Sequence, residues 1–321
     1  MKMNLTSMMM ITIIMITTIT VISSNNFLTS WLMMEINMIA FLPIMSKSNK
    51  MKDQLMKYFI VQSTASSIML MSMLMNSNSE TPTSTSIMLM MSLLMKMGLM
   101  PMHIWMPVVM NSLSWKNCMI MSTIQKIIPI TISSQLSSIN TMMLPMVTSM
   151  IAAPISALSQ LSMKKILSFS SIANTPWMMI SMNNSKSQFM LFMTVYSTIT
   201  MMAMNKLNKM NILFINQMKM LTTTQKLSFV IMSMSMSGMP PTTGFLPKWI
   251  IIQSTIQFST ALTMSMISSS IISTFIYLKM MNSNLLSHTS MKKTKKKKNM
   301  WNNDLTINLL GLPSMMVLKS I

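Results

Sequence analysis

The sequence has no arginine, four acidic residues and a single cysteine among its 321 residues. Charged residues make up 9% of the chain, whereas soluble domains average about 25%. So few charges cannot cover a water-exposed surface, which argues against an ordinary soluble protein. The lone cysteine, Cys118, excludes an internal disulfide and a metal site built from several cysteines.

Glycine is also scarce, with four residues, and no GxGxxG or GxxxxGK run is present. A nucleotide-binding enzyme is therefore disfavoured. The net charge of +20 is carried by lysines alone. A basic chain often binds nucleic acid, but these lysines fall between apolar runs, which indicates membrane topology instead. We expect the lysine run at 292–298 to lie near anionic lipid headgroups, and we predict no nucleic-acid partner.

Hydrophobic residues make up 51% of the chain. A transmembrane helix needs about 20 such residues, with a usable range of roughly 17 to 25. The sequence therefore predicts an all-α polytopic membrane protein with about eleven transmembrane helices. The predicted spans are 4–22, 27–45, 56–75, 84–102, 117–137, 141–158, 163–182, 188–205, 226–250, 256–281 and 303–320.

Methionine contributes 55 residues, more than packing requires. An AT-rich genome that reads a second codon as methionine explains this excess and indicates a mitochondrial gene. Lysines concentrate in the segments that follow even-numbered spans, so we expect the N-terminus and these loops to face the matrix. These lysines are Lys47, Lys50, Lys52, Lys57, Lys116, Lys164, Lys165, Lys206, Lys209, Lys219, Lys226, Lys279 and those at 292–298.

Apart from the lysines of the lysine-rich segments, four charged residues fall inside the first ten predicted spans: Glu35, Lys96, Lys126 and Lys248. Each costs about 2.5–3.5 kcal/mol at the centre of a membrane helix, so an ion or proton pathway is the natural hypothesis. Lys96 lies about 18 Å along its span, near the middle of the membrane. Lys248 lies later in its span, where a lysine side chain can also reach the lipid headgroups.

Helix-breaking residues accompany two of these lysines. Gly98, Pro101 and Pro107 follow Lys96, and the segment SGMPPTTGFLPKW at 237–249 contains Lys248. Broken membrane helices are tolerated where they line a hydrated cavity. The two breaks lie in the fourth and ninth spans, five apart, which predicts two inverted repeats. We expect a single domain over 1–321, with repeats at 4–137 and 141–281 and an added helix at 303–320.

Six segments between about residues 27 and 253 carry a family resemblance. They are the segment around Glu35, KYFIVQSTAS at 57–66, KMGLMPMHIWMP at 96–107, QKIIP at 125–129, KKILSFSSIANTPWMM at 164–179 and GMPPTTGFLPKWIIIQ at 238–253. Together they resemble the subunit 2 family of mitochondrial NADH:ubiquinone oxidoreductase, respiratory complex I. Beyond about residue 280 the likeness is in hydropathy alone.

The resemblance implies a proton-pumping, antiporter-like subunit in the membrane arm of that complex, in the mitochondrial inner membrane. By position, Glu35 and Lys96 match the family's buried Glu–Lys pair. Lys126 matches its central lysine, and Lys248 the lysine of the second broken helix. His103 matches the family's histidine and is a further candidate for the proton path.

The resemblance also implies which groups belong elsewhere. It predicts no cofactor and no metal in this chain, because NADH, FMN, iron–sulfur clusters and ubiquinone belong to other subunits. It makes the chain part of NADH:ubiquinone reductase without redox catalysis of its own. Its implied partners are neighbouring antiporter-like and small membrane subunits, and inner-membrane lipids.

Two positions depart from the family pattern. The chain has Val108 where the family usually has a glutamate, and Asn174 where it usually has a histidine. Any roles of those family groups cannot be carried over. Two alternatives stay open. One is an independent cation/proton antiporter, against which the absence of a buried aspartate pair weighs. The other is a structural assembly subunit with vestigial buried charges.

Overall fold

The computed structural model describes residues 5–46, 52–78, 82–136, 139–221 and 223–285. Within these ranges the chain is helical, and its one β-type contact is an isolated bridge between Ser162 and Phe214. The helices are α1 (Leu5–Ser23), α2 (Phe27–Met45), α3 (Lys52–Asn78), α4 (Pro82–Met97), α5 (Trp105–Ser112), α6 (Trp115–Ser122), α7 (Ile124–Leu136), α8 (Ile139–Leu158), α9 (Met163–Asn184), α10 (Lys186–Met210), a 3-10 helix (Ile215–Met220), α11 (Thr223–Ser237), α12 (Phe245–Ile256) and α13 (Thr260–Leu285).

Five described helices are long and apolar enough to cross a membrane: Leu5–Ser23, Phe27–Met45, Asp53–Met75, Thr141–Leu158 and Thr260–Asn282. Serine and threonine are frequent within these helices, yet their hydroxyls are satisfied locally. Ser72, for example, donates to Met69 O at 2.7 Å, and Ser149 donates to Met146 O at 2.8 Å. Such bonds to the preceding turn let a polar side chain sit in an apolar environment without a distant partner.

The predicted spans agree with the helices along most of the chain. The predicted breaks are confirmed after Met97 and after Ser237. A third break, at Thr123 between α6 and α7, was not predicted. The predicted boundaries at 250 and 256 are wrong, because α12 continues to Ile256 and α13 begins at Thr260. The predicted helix at 303–320 lies outside the described residues, so the count of eleven stays a prediction.

Hydrogen bonds connect several of the chain segments that carry the loop lysines. Because the bonded atoms are adjacent, these segments meet at one end of the helix bundle. The bonds are Asn117 Nδ2 to Ile44 O (3.0 Å), Lys164 Nζ to Leu113 O (2.6 Å), Met163 N to Leu213 O (2.9 Å) and Lys279 Nζ to Leu158 O (3.1 Å). This shared end agrees with the alternation of lysine-rich and lysine-poor segments.

Helix α9 lies at the centre of the bundle. Fifteen of its residues are buried, among them Trp177, one of the largest fully buried side chains. It contacts α5 and α7 from the first part of the chain and α8, α10, α12 and α13 from the second. This helix therefore borders the surroundings of both Lys126 and Lys248.

Candidate functional site

The two breaks that follow α4 and α11 begin with the same type of helix ending. Each begins at a glycine with positive φ: Gly98 at 67° and Gly238 at 77°. In each, the next amide bonds five residues back, Leu99 N to Leu94 O at 3.0 Å and Met239 N to Met234 O at 3.2 Å. This is the Schellman type of helix ending, which requires a left-handed residue. Both helices resume seven residues after the glycine.

Side chains satisfy backbone carbonyls at both breaks. At the first, Trp105 Nε1 donates to Met95 O at 3.0 Å, and Gln62 Nε2 approaches Lys96 O at 3.4 Å. At the second, Lys248 Nζ donates to Ser237 O at 2.8 Å. Carbonyls released by a helix ending need such partners inside a membrane. Side chains packed beside each break therefore bond the backbone carbonyls that the break releases.

Lys96 and Glu35 form an ion pair between α4 and α2. Lys96 Nζ lies 3.5 Å from Glu35 Oε1 and 3.2 Å from Met34 Sδ. The side chain of Lys96 is 4% exposed and that of Glu35 is 21% exposed. Lys96 also belongs to the last turn of α4, where the helix dipole favours a cation. The fold therefore places Glu35 and Lys96, the predicted pair, within ion-pair distance of each other.

Lys126 lies near the start of α7 and is 3% exposed. Its Nζ donates to Ser171 O of α9 at 2.6 Å. In the described part of the chain no carboxylate lies within ion-pair distance of it. A buried ammonium without a counter-ion is costly to charge, so the charge of Lys126 is sensitive to small changes in its surroundings.

A cavity connects the surroundings of Lys96 and Lys126. Both lysines line it, together with Asn37, Gln125 and Tyr58. Asn37 and Gln125 exchange two hydrogen bonds, Asn37 Nδ2 to Gln125 Oε1 at 2.8 Å and Gln125 Nε2 to Asn37 Oδ1 at 3.3 Å. The sequence did not predict this amide pair, because the two residues are 88 positions apart and neither is unusual alone.

Lys248 lies in the first turn of α12 and is 8% exposed, as buried as Lys96. Its Nζ sits 5.6 Å from the ring centroid of Trp177, in addition to its bond to Ser237 O. The ammonium of Lys248 is held against the end of α11 and does not extend away from the bundle, and its role in proton transfer stays a prediction. Both this lysine and Lys96 place their charge at the C-terminal end of a broken helix.

His103 lies apart from the lysines. It is half-buried in the first break, with Nδ1 3.2 Å from Pro101 O and its ring centroid 6.3 Å from that of Phe169. It does not line the cavity shared by Lys96 and Lys126. Its place on a proton path stays a prediction.

Asn174, at the family's histidine position, lines cavities together with Lys248.

The fold and these buried charges define a class: a polytopic helical membrane protein with an ionisable network inside its bundle. The transmembrane family described as NADH:quinone oxidoreductase/Mrp antiporter matches residues 24–276. NADH-ubiquinone oxidoreductase chain 2 of Locusta migratoria is 34% identical over 233 residues, covering 70% of this chain and 68% of that protein. The same-named protein of Metachirus nudicaudatus is 32% identical over 283 residues, covering 83% and 80%. The chain therefore belongs to the NADH:quinone oxidoreductase/Mrp antiporter family and, within it, to the NADH-ubiquinone oxidoreductase chain 2 group.

Solved structures agree in fold. A chain of respiratory complex I from Thermus thermophilus superposes with a TM-score of 0.75 at 18% identity, covering 91% of this chain and 74% of that chain. A chain of the Mrp complex from Dietzia sp. superposes with a TM-score of 0.65 at 14% identity, covering 80% and 56%. These superpositions show that the chain shares the fold of both proteins.

Proposed function

We propose that this chain is a proton-translocating core subunit in the membrane arm of respiratory complex I. The proposal rests on the buried ion pair of Glu35 and Lys96. Two further buried lysines lie in the same helix bundle. The chain's relatives and structural neighbours include chains of complex I. Ionisable groups inside a membrane are costly and mark ion or proton pathways. Here they lie beside a polar cavity and two broken helices.

In the proposed mechanism, the distance between Glu35 and Lys96 controls a proton. Burial disfavours a charged lysine, whereas a nearby carboxylate favours it. Separating the pair would release the Lys96 proton into the cavity that also contains Lys126. Lys126 would pass the proton on past α9, and Lys248 would deliver it towards the intermembrane space. The driving force would be a conformational or electrostatic shift that originates in the redox reaction of other subunits.

The finer architecture is part of the proposal. The described helices group into ten spans if α4–α5, α6–α7 and α11–α12 are each one broken span. The matching Gly98 and Gly238 breaks support two inverted five-helix repeats, at about 4–137 and 141–281. A helix at 303–320 would be the eleventh span. The lysine-rich end would face the matrix of the mitochondrion.

This role makes the chain a subunit of an enzyme, NADH:ubiquinone reductase, without redox chemistry of its own. Electron transfer from NADH to ubiquinone would take place in other subunits, which hold the FMN and iron–sulfur clusters. Lysine, glutamate and water suffice for what this chain would do, which is to hold and move protons. Its neighbours would be the antiporter-like and small membrane subunits of the membrane arm, with inner-membrane lipids around it.

Replacing Lys126 tests the proposal at its centre. Lys126→Met keeps a similar volume and removes the titratable group, so we expect assembly of the complex and a reduced number of protons pumped per electron. Lys116→Met is the matched control, because Lys116 is exposed at the start of α6. The assembled complex in proteoliposomes, supplied with NADH and ubiquinone, provides both measurements. Full stoichiometry in Lys126→Met would refute the relay.

The likeness to the Mrp complex favours a second candidate, an independent cation/proton antiporter. The buried charges and broken helices suit ion exchange as well as redox-driven pumping. Purified chain reconstituted without other subunits distinguishes the two. Our proposal predicts no sodium- or potassium-dependent proton exchange by the chain alone, and such exchange would favour the antiporter.

A further inference from the structure

The chain has three tyrosines, and each of them lines a cavity that also contains a buried lysine. Tyr58 shares its cavity with Lys96 and Lys126. Tyr196 and Tyr277 line separate cavities that both include Lys248. A phenol can donate and accept a hydrogen bond at the same time, which suits proton transfer between waters.

Tyr277 differs in that its hydroxyl forms no well-aligned hydrogen bond among the described residues. The residue lies on α13 and is 3% exposed, and its Oη forms no well-aligned hydrogen bond in the part of the chain described, although the Ser170 side chain lies close to it. A buried hydroxyl without a partner is destabilising. In native proteins such groups are normally satisfied, often by ordered water. The hydroxyl therefore indicates a site for water.

The cavity beside Tyr277 is suited to that water. Its wall includes the polar side chains of Asn174, Ser170 and Ser273 as well as Lys248. It is large enough for a water molecule, which needs two to four polar partners. Ser170 donates its own proton to Leu167 O at 2.9 Å, so its oxygen remains free to accept.

Helix α9 connects this cavity to Lys126. Ser170 and Asn174 of α9 line the cavity, and the adjacent Ser171 accepts the hydrogen bond from Lys126 Nζ at 2.6 Å. The central lysine and the Tyr277 cavity thus contact the same two turns of one helix. Lys248 also lines the cavity, with its Nζ 5.6 Å from the ring centroid of Trp177.

We propose that Tyr277 relays protons between Lys126 and Lys248, an inference that rests on the proposed function. The Lys126 ammonium gives a proton to a water near Ser171. That water passes a proton to a lone pair of Tyr277 Oη, while the phenol O–H bond breaks and its proton moves to the next water. The Lys248 amine takes up the proton at the end. Tyr277 is neutral before and after the transfer, and one proton enters for each that leaves.

Tyr277→Phe is the direct test, because it removes one oxygen and keeps the ring. We expect the complex to assemble with nearly unchanged thermal stability, since the hydroxyl forms no well-aligned hydrogen bond with the described residues. We expect NADH-driven proton pumping in proteoliposomes to slow by about tenfold or more, the low end of what positioned proton-transfer groups contribute. A purely structural role would lower stability and leave pumping intact.

Thr255→Val is the matched control, because it removes another buried hydroxyl, on the same helix as Lys248, that already has an acceptor, Ile252 O at 3.0 Å. We expect it to pump at the unmodified rate. Normal pumping by Tyr277→Phe, with loss of pumping in Lys126→Met, would overturn the relay and leave the proposed function standing. Normal pumping by both would overturn both. If Tyr277→Phe does not assemble, Asn174→Leu removes an amide from the same cavity. We expect this variant to slow pumping, and normal pumping by it would overturn the relay.

Discussion

The Glu35 carboxylate lies 3.5 Å from the Lys96 ammonium, between the middle of α2 and the last turn of α4. The two residues are 61 positions apart in sequence, and each would be unfavourable alone at this depth. Lys96 gains a second stabilising influence from the free carbonyls at the end of α4. A paired charge at a helix ending can be released by a small movement of either helix, which is the property that the proposed mechanism needs.

Neutralising one member of this pair should destabilise the complex more than neutralising both. Glu35→Gln leaves Lys96 buried without its counter-ion, at a cost of about 3 kcal/mol, the lower end for a broken buried pair because Glu35 is partly exposed. Glu35→Gln combined with Lys96→Met should recover most of the loss. Thermal unfolding midpoints of Glu35→Gln, Lys96→Met and the double variant, each in the assembled complex, provide the comparison. Additive losses would contradict the pairing.

Gly238 and Gly98 should respond differently to the same substitution. Alanine at either position costs about 1–2 kcal/mol of backbone strain, because both have positive φ. A Cβ at Gly238 would lie 2.9 Å from Lys248 Cδ and displace that side chain, whereas at Gly98 the nearest atom is Met106 Cβ at 3.3 Å. We therefore expect Gly238→Ala to reduce proton pumping and Gly98→Ala to retain it. Equal pumping by the two variants would mean that the position of the Lys248 side chain does not affect proton pumping.

The amide pair of Asn37 and Gln125 should matter for both stability and transfer. Asn37→Leu leaves the Gln125 amide unpaired, with an expected loss of about 1–3 kcal/mol, and it makes the cavity between Lys96 and Lys126 less polar. We expect slower pumping from this variant. Asn117→Leu is the control, because it removes a bond to Ile44 O at a helix end and Asn117 does not line the cavity. It should lose stability without losing pumping.

The sequence alone predicted most of the described helices and the breaks after Met97 and Ser237, because apolar length and the Gly–Pro clusters are local signals. It also singled out Lys96, Lys126 and Lys248, because a cation in an apolar run is conspicuous. The pairing of Glu35 with Lys96 came from the family resemblance. Periodicity does not say which faces of two distant helices meet, so the contact itself needed the structure.

Other parts of the site could not be read from the chain. The Asn37–Gln125 pair joins residues 88 positions apart, and neither amide is unusual alone. The break at Thr123 contains neither glycine nor proline, so no local sequence signal predicts it. Tyr277 belongs to a helix that reads as an ordinary span, and its importance arises from the cavity that α9 and α13 share. Long-range packing decides each of these features.

A map of the assembled complex that resolves ordered water around the buried lysines tests the central claim most directly. The proposed function predicts water continuous with Lys96, Lys126 and Lys248, entering the cavity beside Asn37 and Gln125 and reappearing beside Tyr277. Water at hydrogen-bond distance from Tyr277 Oη would support the relay. A dry, closely packed region that isolates Lys126 from both other lysines, in every state of the working complex, would contradict the account.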